Sequence, residues 1–421
     1  MNNMQELTVT AKIQVIVNDN EASLLSATTS AYRDACNYVS NYVYQTRILQ
    51  QFALNQLLYN TLRKKYGLKS QMAQSVLKTV IAKYKTIIKN QNRWINAVFK
   101  RPQYDLVWNR DYSLTQERFS VNTLDGRLKL NYHANAMEDY FDSKKYRFGT
   151  AKLVQVKKKF YLHIPVTSTV EDTQVSDICH VVGIDRGLNF IAVSYDSKGN
   201  TTFFNGRQIK QKRAKFKELR RSLQKRGTAS ARRRIRHIGQ RENRWMQDVN
   251  HCVSKALVDT TPSKTLFVLE DLTGIRCATE KVRRKKRYET VSWSFYDLEQ
   301  KLKYKAMRNQ SITIKVDPRY TSQCCPKCGH IESGNRDKKR HFFCCRNCGY
   351  CSNDDRIGAM NLYGLGLSFI HDQTVNSEHV QNLGVQSITP RCNVTLSGKK
   401  EAKGRRRNSR MTTGQLQANR L

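Results

Sequence analysis

The narrowest constraint on this chain is a pair of cysteine knuckles, Cys325-Pro326-Lys327-Cys328 and Cys345-Arg346-Asn347-Cys348, with 16 residues between them. Two thiolate pairs at this spacing match the pattern of a four-thiolate structural zinc site. Such a site fixes a small ribbon whatever the rest of the chain does. Gly329 and Gly349 follow the pairs, where the backbone must turn closely around the sulfurs. Seven of the 12 cysteines fall between Cys324 and Cys351. In an intracellular chain that clustering reads as metal binding. Cys324, Cys344 and Cys351 are spare thiols beside the ligands. Only Cys325/Cys328 and Cys345/Cys348 give both pairs two-residue spacing with a glycine behind. Four thiolates close the coordination sphere, so the predicted zinc is structural, not catalytic.

A second feature is Val181-Val182-Gly183-Ile184-Asp185-Arg186-Gly187. It reads as a buried strand that ends in a carboxylate, followed by a tight return into the apolar segment Leu188 to Ser194. A carboxylate there is costly unless something compensates for it, and a divalent cation shared with other acids is the commonest compensation. Two further acids fit. Glu270 ends the strand Thr265 to Leu269, and Asp355 stands at a helix start in Asn353-Asp354-Asp355-Arg356-Ile357-Gly358-Ala359. In an RNase H-like fold these positions meet at one place on the sheet. They suit two Mg²⁺ about 3.5–4 Å apart that cut a phosphodiester, with Mn²⁺ an acceptable substitute. Glu270 is preferred to Asp271 because side chains alternate and Leu269 shares a face with Asp271. Residue physics alone leaves Asp354 against Asp355 open.

The polyanionic substrate follows from charge. Seventy-four Lys and Arg against 34 Asp and Glu give a net +40 over 421 residues. A surface serving only solubility carries both signs interspersed. This excess calls for nucleic acid, and no lipidation motif or basic amphipathic anchor argues for a membrane. Between Arg207 and Arg244 there are 16 Lys and Arg against Glu218 and Glu242. Arg213, Arg220, Arg221, Arg232, Arg233, Arg234 and Arg236 are the candidate phosphate contacts, giving affinity without sequence reading. No run of 18 apolar residues and no signal pattern occurs, so the expected location is intracellular.

Periodicity supplies the layout. Leu7 to Val17 reads as a strand. Helices follow at Glu21 to Ile48, Phe52 to Tyr66 and Ser70 to Lys89, the first with Leu24, Thr28, Ala31, Ala35, Val39 and Tyr42 on one face. Short strands follow Arg101-Pro102: Leu106 to Trp108, Arg118 to Val121, Arg127 to Asn131, and a hairpin of Lys152 to Val156 with Phe160 to Val166. Thr167 to Asp177 reads as a linker. Thr201 to Phe204 is a strand, and two antiparallel basic helices separated by Gly227-Thr228 fill 206–259. A basic loop at Cys277 to Glu289, a helix at Ser294 to Arg308, a strand at Ile312 to Val316 and a helix from Asp355 to about Tyr363 complete the ordered part. Residues 370–421 read as a basic, disordered tail.

At this point GIDRG, VLEDLTGIR, YTSQCCPKCGHIESGNR and CRNCGYCSNDDRIGAMNL together resemble the RuvC domain of TnpB, the RNA-guided nucleases of insertion sequences, whose core the miniature type V CRISPR effectors share. The resemblance is strong over 180–363, weaker over 1–175, and does not reach the tail. The motifs are specific as a set, since the ribbon lies between the second and third acids in the family's order. The family's last motif reads Cys-Gly-Tyr, three or four residues, then Asp-x-Asn-Ala-Ala. Counted from Cys348 its aspartate falls on Asp355, with Ile357 and Gly358 replacing the usual Asn-Ala. The resemblance thus implies catalytic, Mg²⁺-binding Asp185, Glu270 and Asp355, and zinc on Cys325, Cys328, Cys345 and Cys348. It also implies a cytoplasmic, nucleoid-associated place in a prokaryote.

The resulting fold class is multi-domain α/β. A RuvC nuclease domain at 176–320 contains the basic hairpin 207–258. The resemblance implies that a zinc ribbon at 321–350 binds target nucleic acid and that the last RuvC helix takes 351–369. An OB-like wedge barrel at 1–20 and 101–175 carries a helical recognition bundle at 21–100. The expected activity is metal-dependent, RNA-guided cleavage of double-stranded DNA beside a short flanking motif, with guide RNA and target DNA as partners. A miniature CRISPR effector has the same chemistry. A guide-directed DNA-binding regulator would have lost one of the acids, and all three are present. The ribbon's position disfavours a transposase proper.

Overall fold

Phe160, Leu162, Ile164 and Val166 are buried at every second position of β8 (Lys159–Glu171). That two-residue period makes the strand, because one face meets the core and the other meets solvent. β8 pairs antiparallel with β1 (Met4–Ile16) from Met4↔Glu171 to Val15↔Phe160. The computed structural model describes residues 4–91, 93–133, 137–272 and 295–375. They divide into two compact units. The first comprises Met1–Cys179, Met246–Thr265 and Tyr296–Thr313; the second comprises His180–Trp245, Leu266–Phe295 and Ile314 onward.

The first unit is built on one antiparallel sheet. Its other strands are β2 (Gln103–Leu106), β3 (Tyr112–Leu114), β4 (Arg118–Asn122), β5 (Arg127–Tyr132), β6 (Tyr146–Phe148) and β7 (Ala151–Val156). The order is β2-β7-β8-β1-β5-β4-β3, with β6 also paired to β8. Between β1 and β2 the chain forms α1 (Asp19–Thr46), α2 (Gln51–Tyr66) and α3 (Ser70–Gln91). Asn18 caps α1 in a capping box with Glu21, each side chain 2.9 Å from the other's backbone nitrogen. Gly67 ends α2 at φ +64°, a conformation that favours glycine.

Three sequence expectations change here. The buried stripe of α1 runs through Leu25, Tyr32, Cys36, Val39 and Val43, while Leu24, Ala31 and Tyr42 are half-buried. Tyr32 joins the core because its hydroxyl lies 3.0 Å from that of Thr79, which donates to Asp105 at 2.5 Å. Thr167 to Glu171 belong to β8 rather than to a linker. Thr169 and Glu171 are exposed and Thr167, Ser168 and Val170 half-buried on a paired ladder, as in the 2.9 Å contact between the hydroxyls of Thr8 and Thr167. The strand expected at Leu106 to Trp108 lies at Gln103–Leu106, and the three-residue β3 and β6 are too short to show a period.

The second unit contains a five-stranded sheet in the order β11-β10-β9-β12-β13. These strands are β9 (His180–Asp185), β10 (Phe190–Asp196), β11 (Thr201–Asn205), β12 (Thr265–Glu270) and β13 (Ile312–Val316). β9 and β12 share one burial pattern: five buried residues, then an acid at the partly exposed end. The basic stretch forms α4 (Arg207–Arg226) and α5 (Ala229–Asp259), joined through Gly227 at φ +67°. Leu223, Ala231 and Ile238 form their seam with Phe216, Leu219 and Ile235. α6 (Phe295–Arg308) falls from Tyr296 onward in the first unit, as α5 does from Met246 onward. In the second unit a three-stranded ribbon of β14 (Arg336–Asp337), β15 (Phe342–Cys344) and β16 (Cys351–Asn353) leads into α7 (Asp354–Val375). α7 outruns the expected helix by about three turns, so 370–375 are helical. The expected loop at 277–289 and the expected tail from 376 lie outside the described residues.

Candidate active site and metal centre

Asp185 at the end of β9, Glu270 at the end of β12 and Asp355 in the first turn of α7 line one pocket of about 440 Å³. The choices between neighbouring acids now have geometric answers. Glu270 lines the pocket and its Oε1 accepts a 2.7 Å hydrogen bond from the Thr321 hydroxyl. Asp271 points elsewhere, to Lys315 at 3.3 Å. Asp355 also lines the pocket, whereas Asp354 is fully buried and its Oδ2 accepts from Arg336 Nε at 2.8 Å. Asn353 sets the start of α7 by accepting from the backbone nitrogens of Asp355 and Arg356 at 3.0 and 3.1 Å.

Two glycines bring these elements together. A β carbon at Gly183 would lie 2.1 Å from the carbonyl oxygen of Ala359 and 2.3 Å from the nitrogen of Tyr363. β9 therefore packs backbone to backbone against α7. A β carbon at Gly358 would lie 3.0 Å from the Asp185 carboxylate. Glycine at this position leaves that carboxylate its room.

The acids disturb one another. Burial holds the Asp185 carboxyl well above the ordinary range, and the charges of Glu270 and Asp355 add to it. Burial also raises Glu270, against the pull of the Thr321 hydroxyl, Arg186 and Arg336. Asp355 is raised by burial and then by Asp354, while His341 and Arg336 oppose the shift. Arg186 is buried, and its guanidinium donates to the carbonyl oxygens of Glu270 and, at 3.3 Å, of Phe295. The pocket offers the carboxylate oxygens of Asp185, Glu270 and Asp355, which suit hard divalent cations such as Mg²⁺ and Mn²⁺, beside the His341 imidazole. Asp355 also groups with His341 and Asp354, whose candidate ligand atoms lie within 4.8 Å of one another.

The four knuckle cysteines converge. Their sulfurs all lie within 4.8 Å of one another, with Cys325–Cys348 at 3.6 Å and Cys328–Cys345 at 3.5 Å. Tetrahedral zinc with 2.3 Å bonds needs sulfurs about 3.8 Å apart. The knuckles are near-copies: Gly329 and Gly349 have φ of +72° and +71°, and each nitrogen donates at 2.9 Å to the carbonyl of the first cysteine of its knuckle. The backbone N–H of His330 is the main cause that draws the Cys328 thiol down to about 6. Cys344 and Cys351, read from sequence as spare thiols, are cross-strand partners joined by a disulfide.

The expected nucleic-acid contacts need a correction. Arg213 is buried and faces Glu242 at 3.5 Å, and Arg220 also bonds Glu242. A buried glutamate inside the α4–α5 seam claims both cations, so they hold the hairpin together. Arg221, Arg232, Arg233, Arg234 and Arg236 are exposed. Sequence reasoning also passed over Thr321, Arg336 and His341, all of which line the acid pocket. Arg336 and His341 belong to the polar stretch between the cysteine pairs, which reads as ordinary solvated surface. The one available signal was that this stretch lies between the second and third acids.

Two family models match the chain. The one described as "Probable transposase" covers residues 163–273, and "Cas12f1-like, TNB domain" covers 295–362. The CRISPR-associated endodeoxyribonuclease Cas12f1 of Sulfoacidibacillus thermotolerans is 32% identical over 220 residues, 49% of this chain and 50% of that protein. A TnpB-like protein of Methanocaldococcus jannaschii is 28% identical over 44% of this chain and 68% of its own length. The chain is thus similar, over part of its length, both to Cas12f1 and to TnpB-like proteins. The putative RNA-guided DNA endonuclease InsQ of Escherichia coli K12 is 26% identical over 52% of this chain and 57% of its own length. The chain spans about half the length of the first curated relatives it matches. Among solved structures, the mini-RNA-guided endonuclease CRISPR-Cas_phi3 aligns over 86% of this chain and 92% of its own, at 10% identity and a TM-score of 0.48. Among the described residues, no helix is long and apolar enough to cross a membrane.

Proposed function

We propose that this chain is a TnpB-related, RNA-guided DNA endonuclease that hydrolyses phosphodiester bonds at a RuvC-type, RNase H-like site. One observation carries the reading: acids from two strand ends and one helix start, far apart in sequence, line a single pocket in a chain of net charge +40. Three carboxylates with raised affinity for protons are poorly compensated by Arg186 and Arg336 alone, and their oxygens fit Mg²⁺. Asp185, Glu270 and Asp355 would hold that cation. When bound, it activates water and stabilises the leaving oxygen of a phosphodiester.

The chain's own residues do the rest. Thr321 fixes the Glu270 carboxylate through its hydroxyl, and Arg336 and Lys338 on the pocket wall offer positive charge to the scissile phosphate. The exposed arginines of α4 and α5 hold a nucleic-acid backbone without reading sequence. Cys325, Cys328, Cys345 and Cys348 would bind one structural zinc. The sheet at β1–β8 is the wedge barrel in this reading, and α1–α3 form the recognition bundle. Guide pairing then supplies target choice.

The test is to purify the chain with its copurifying RNA, sequence that RNA, and offer duplex DNA matching its variable end. Cleavage that follows a changed guide and stops in Asp185→Asn supports the reading. Cleavage indifferent to the guide, or undiminished in the variant, removes it. The same sequencing separates a transposon-end guide from a CRISPR-array guide.

A further inference from the structure

His341 is the least expected residue at the acid pocket. It lies in the turn between β14 and β15, inside the ribbon, yet lines the same pocket as Asp185, Glu270 and Asp355. Its backbone has φ +55°, uncommon for a residue with a β carbon, though histidine is among those that tolerate it. That conformation is held: the carbonyl oxygen of His341 accepts from the Asn353 side chain at 3.3 Å and from the Asp354 nitrogen at 3.4 Å. Backbone conformations of this kind persist where the surroundings over-determine them, and they cluster at functional sites.

The imidazole is engaged on both edges. Nε2 meets the side-chain amide of Asn189, four residues beyond Asp185. Nδ1 lies 3.4 Å from Oδ1 of Asp354, the residue before Asp355. Asp354 is fully buried and its other oxygen is taken by Arg336; Oδ1 and His341 Nδ1 are buried with no hydrogen-bond partner among the described residues, so 3.4 Å is a charge-range approach of two atoms that nothing else satisfies. An amide N–H of Asn189 donating to Nε2 makes Nδ1 the protonated nitrogen, which is the tautomer that faces a carboxylate correctly. One ring thus spans two otherwise separate loops: the turn that leaves Asp185 and the cap that starts the helix of Asp355.

We propose that His341 is a positioning residue of the carboxylate site, tying the Asp185 turn through Asn189 to the Asp355 helix start through Asp354. The inference rests on the nuclease reading for its purpose, but not for its measurement. Partners that orient metal-binding carboxylates typically govern affinity by 10–100-fold. The ribbon then has a second task beyond holding zinc, since it delivers this tie to the acids.

The experiment uses the full-length, RNA-bound protein and Mn²⁺ alone as probe, followed by electron paramagnetic resonance, with Asp355→Ala as the reference for loss of the site. His341→Leu is expected to weaken Mn²⁺ binding roughly 10–100-fold, with zinc content and target binding unchanged. His341→Asn, whose amide nitrogen stands where Nδ1 does, is expected to recover most of the affinity. His341→Gln, whose nitrogen stands where Nε2 does, is not. Asn189→Ala, in a turn, is expected to weaken Mn²⁺ in the same direction but less, and it serves if His341→Leu fails to fold. Equal affinity in wild type, His341→Leu and Asn189→Ala overturns the proposal, as does equal loss in His341→Asn and His341→Gln. If Mn²⁺ behaves as expected while wild type cuts no guided target, the nuclease reading fails and the positioning role stands. If wild type cuts and His341→Leu cuts as fast with unchanged Mn²⁺ affinity, the nuclease reading stands and the positioning role fails.

Discussion

Gly183 and Ala359 touch through their backbones: a β carbon on the glycine would stand 2.1 Å from the alanine carbonyl oxygen. Nothing flexible is available to move, because both neighbours at this contact are main chain of α7. Gly183→Ala is therefore expected to push β9 from α7 and to cost about 3 kcal/mol, the upper part of the range for overpacking. Thermal unfolding checks it, and a variant as stable as wild type would mean that α7 and β9 do not pack this closely.

Gly358→Ala is expected to behave differently. Its β carbon would meet the Asp185 carboxylate at 3.0 Å, a contact that a side-chain rotation relieves. Stability should change by less than about 1 kcal/mol, as for a tolerated small substitution. Mn²⁺ affinity and cleavage rate should both fall, since the displaced group is a proposed ligand. Unchanged affinity with unchanged stability would place the Asp185 carboxylate further from α7 than 3.0 Å.

The pH dependence of the acid site has a definite sign. Asp185, Glu270 and Asp355 all keep their protons to higher pH in the folded chain than ordinary carboxyls do, mainly through burial. In the unfolded chain they titrate near pH 4. Above about pH 4 the folded state binds more protons, so their contribution is intact at lower pH and is lost as pH rises through the raised folded values. Without added Mg²⁺ or Mn²⁺, the melting temperature should fall between roughly pH 4 and those values, and fall less in Asp185→Asn. One pKa unit is worth about 1.4 kcal/mol. Adding Mn²⁺ should restore wild type and leave Asp185→Asn unmoved. A pH profile identical in the two proteins would show that Asp185 is not buried among like charges.

Zinc should matter to the acid pocket as well as to the ribbon. Thr321, Arg336 and His341 reach the pocket from residues just before and between the two knuckles. Cys345→Ser is expected to drop zinc from one per chain to near none and to weaken Mn²⁺ binding in parallel. Asp185→Asn should keep its zinc. A zinc-free protein with full Mn²⁺ affinity would uncouple the two sites.

Legibility in the sequence followed how local each cause was. The knuckles, Asp185 and Glu270 were readable because spacing and strand alternation are properties of a few adjacent residues. The inward turn of Asp271 toward Lys315 and the burial of Asp354 against Arg336 depend on residues 44 and 18 positions away. Alternation separated the first pair, of which Glu270 lines the pocket and Asp271 meets Lys315, and said nothing of the second. Tyr32 entered the core through a hydroxyl contact with Thr79, which no hydropathy pattern carries. Thr167 to Glu171 looked like a linker because, with neither face fully buried, four of its five residues are polar. His341 was invisible for a related reason: a histidine that follows five charged residues, Arg336 to Arg340, resembles surface until the fold brings Asn189 and Asp354 to its two edges.

The basic hairpin separates charge that binds from charge that builds. Arg232, Arg233 and Arg234 are exposed, whereas Arg213 is buried beside Glu242. Each phosphate contact contributes about 0.9 to the slope of log affinity against log salt for duplex DNA. Replacing Arg232, Arg233 and Arg234 together by Gln is therefore expected to lower the slope by about 2–3 if all three meet phosphate, with the melting temperature held. Arg213→Gln should do the reverse. It removes one partner from a buried ion pair, a change that costs about 3–5 kcal/mol when a charge is left uncompensated; Arg220 still meets Glu242, so the lower end applies. Its salt slope should match wild type in whatever fraction stays folded. Salt titration of DNA binding beside thermal unfolding reads both effects in one set of samples. A triple variant with an unchanged slope would move the nucleic-acid path off α5, and an Arg213→Gln protein as stable as wild type would show that Arg220 alone neutralises Glu242.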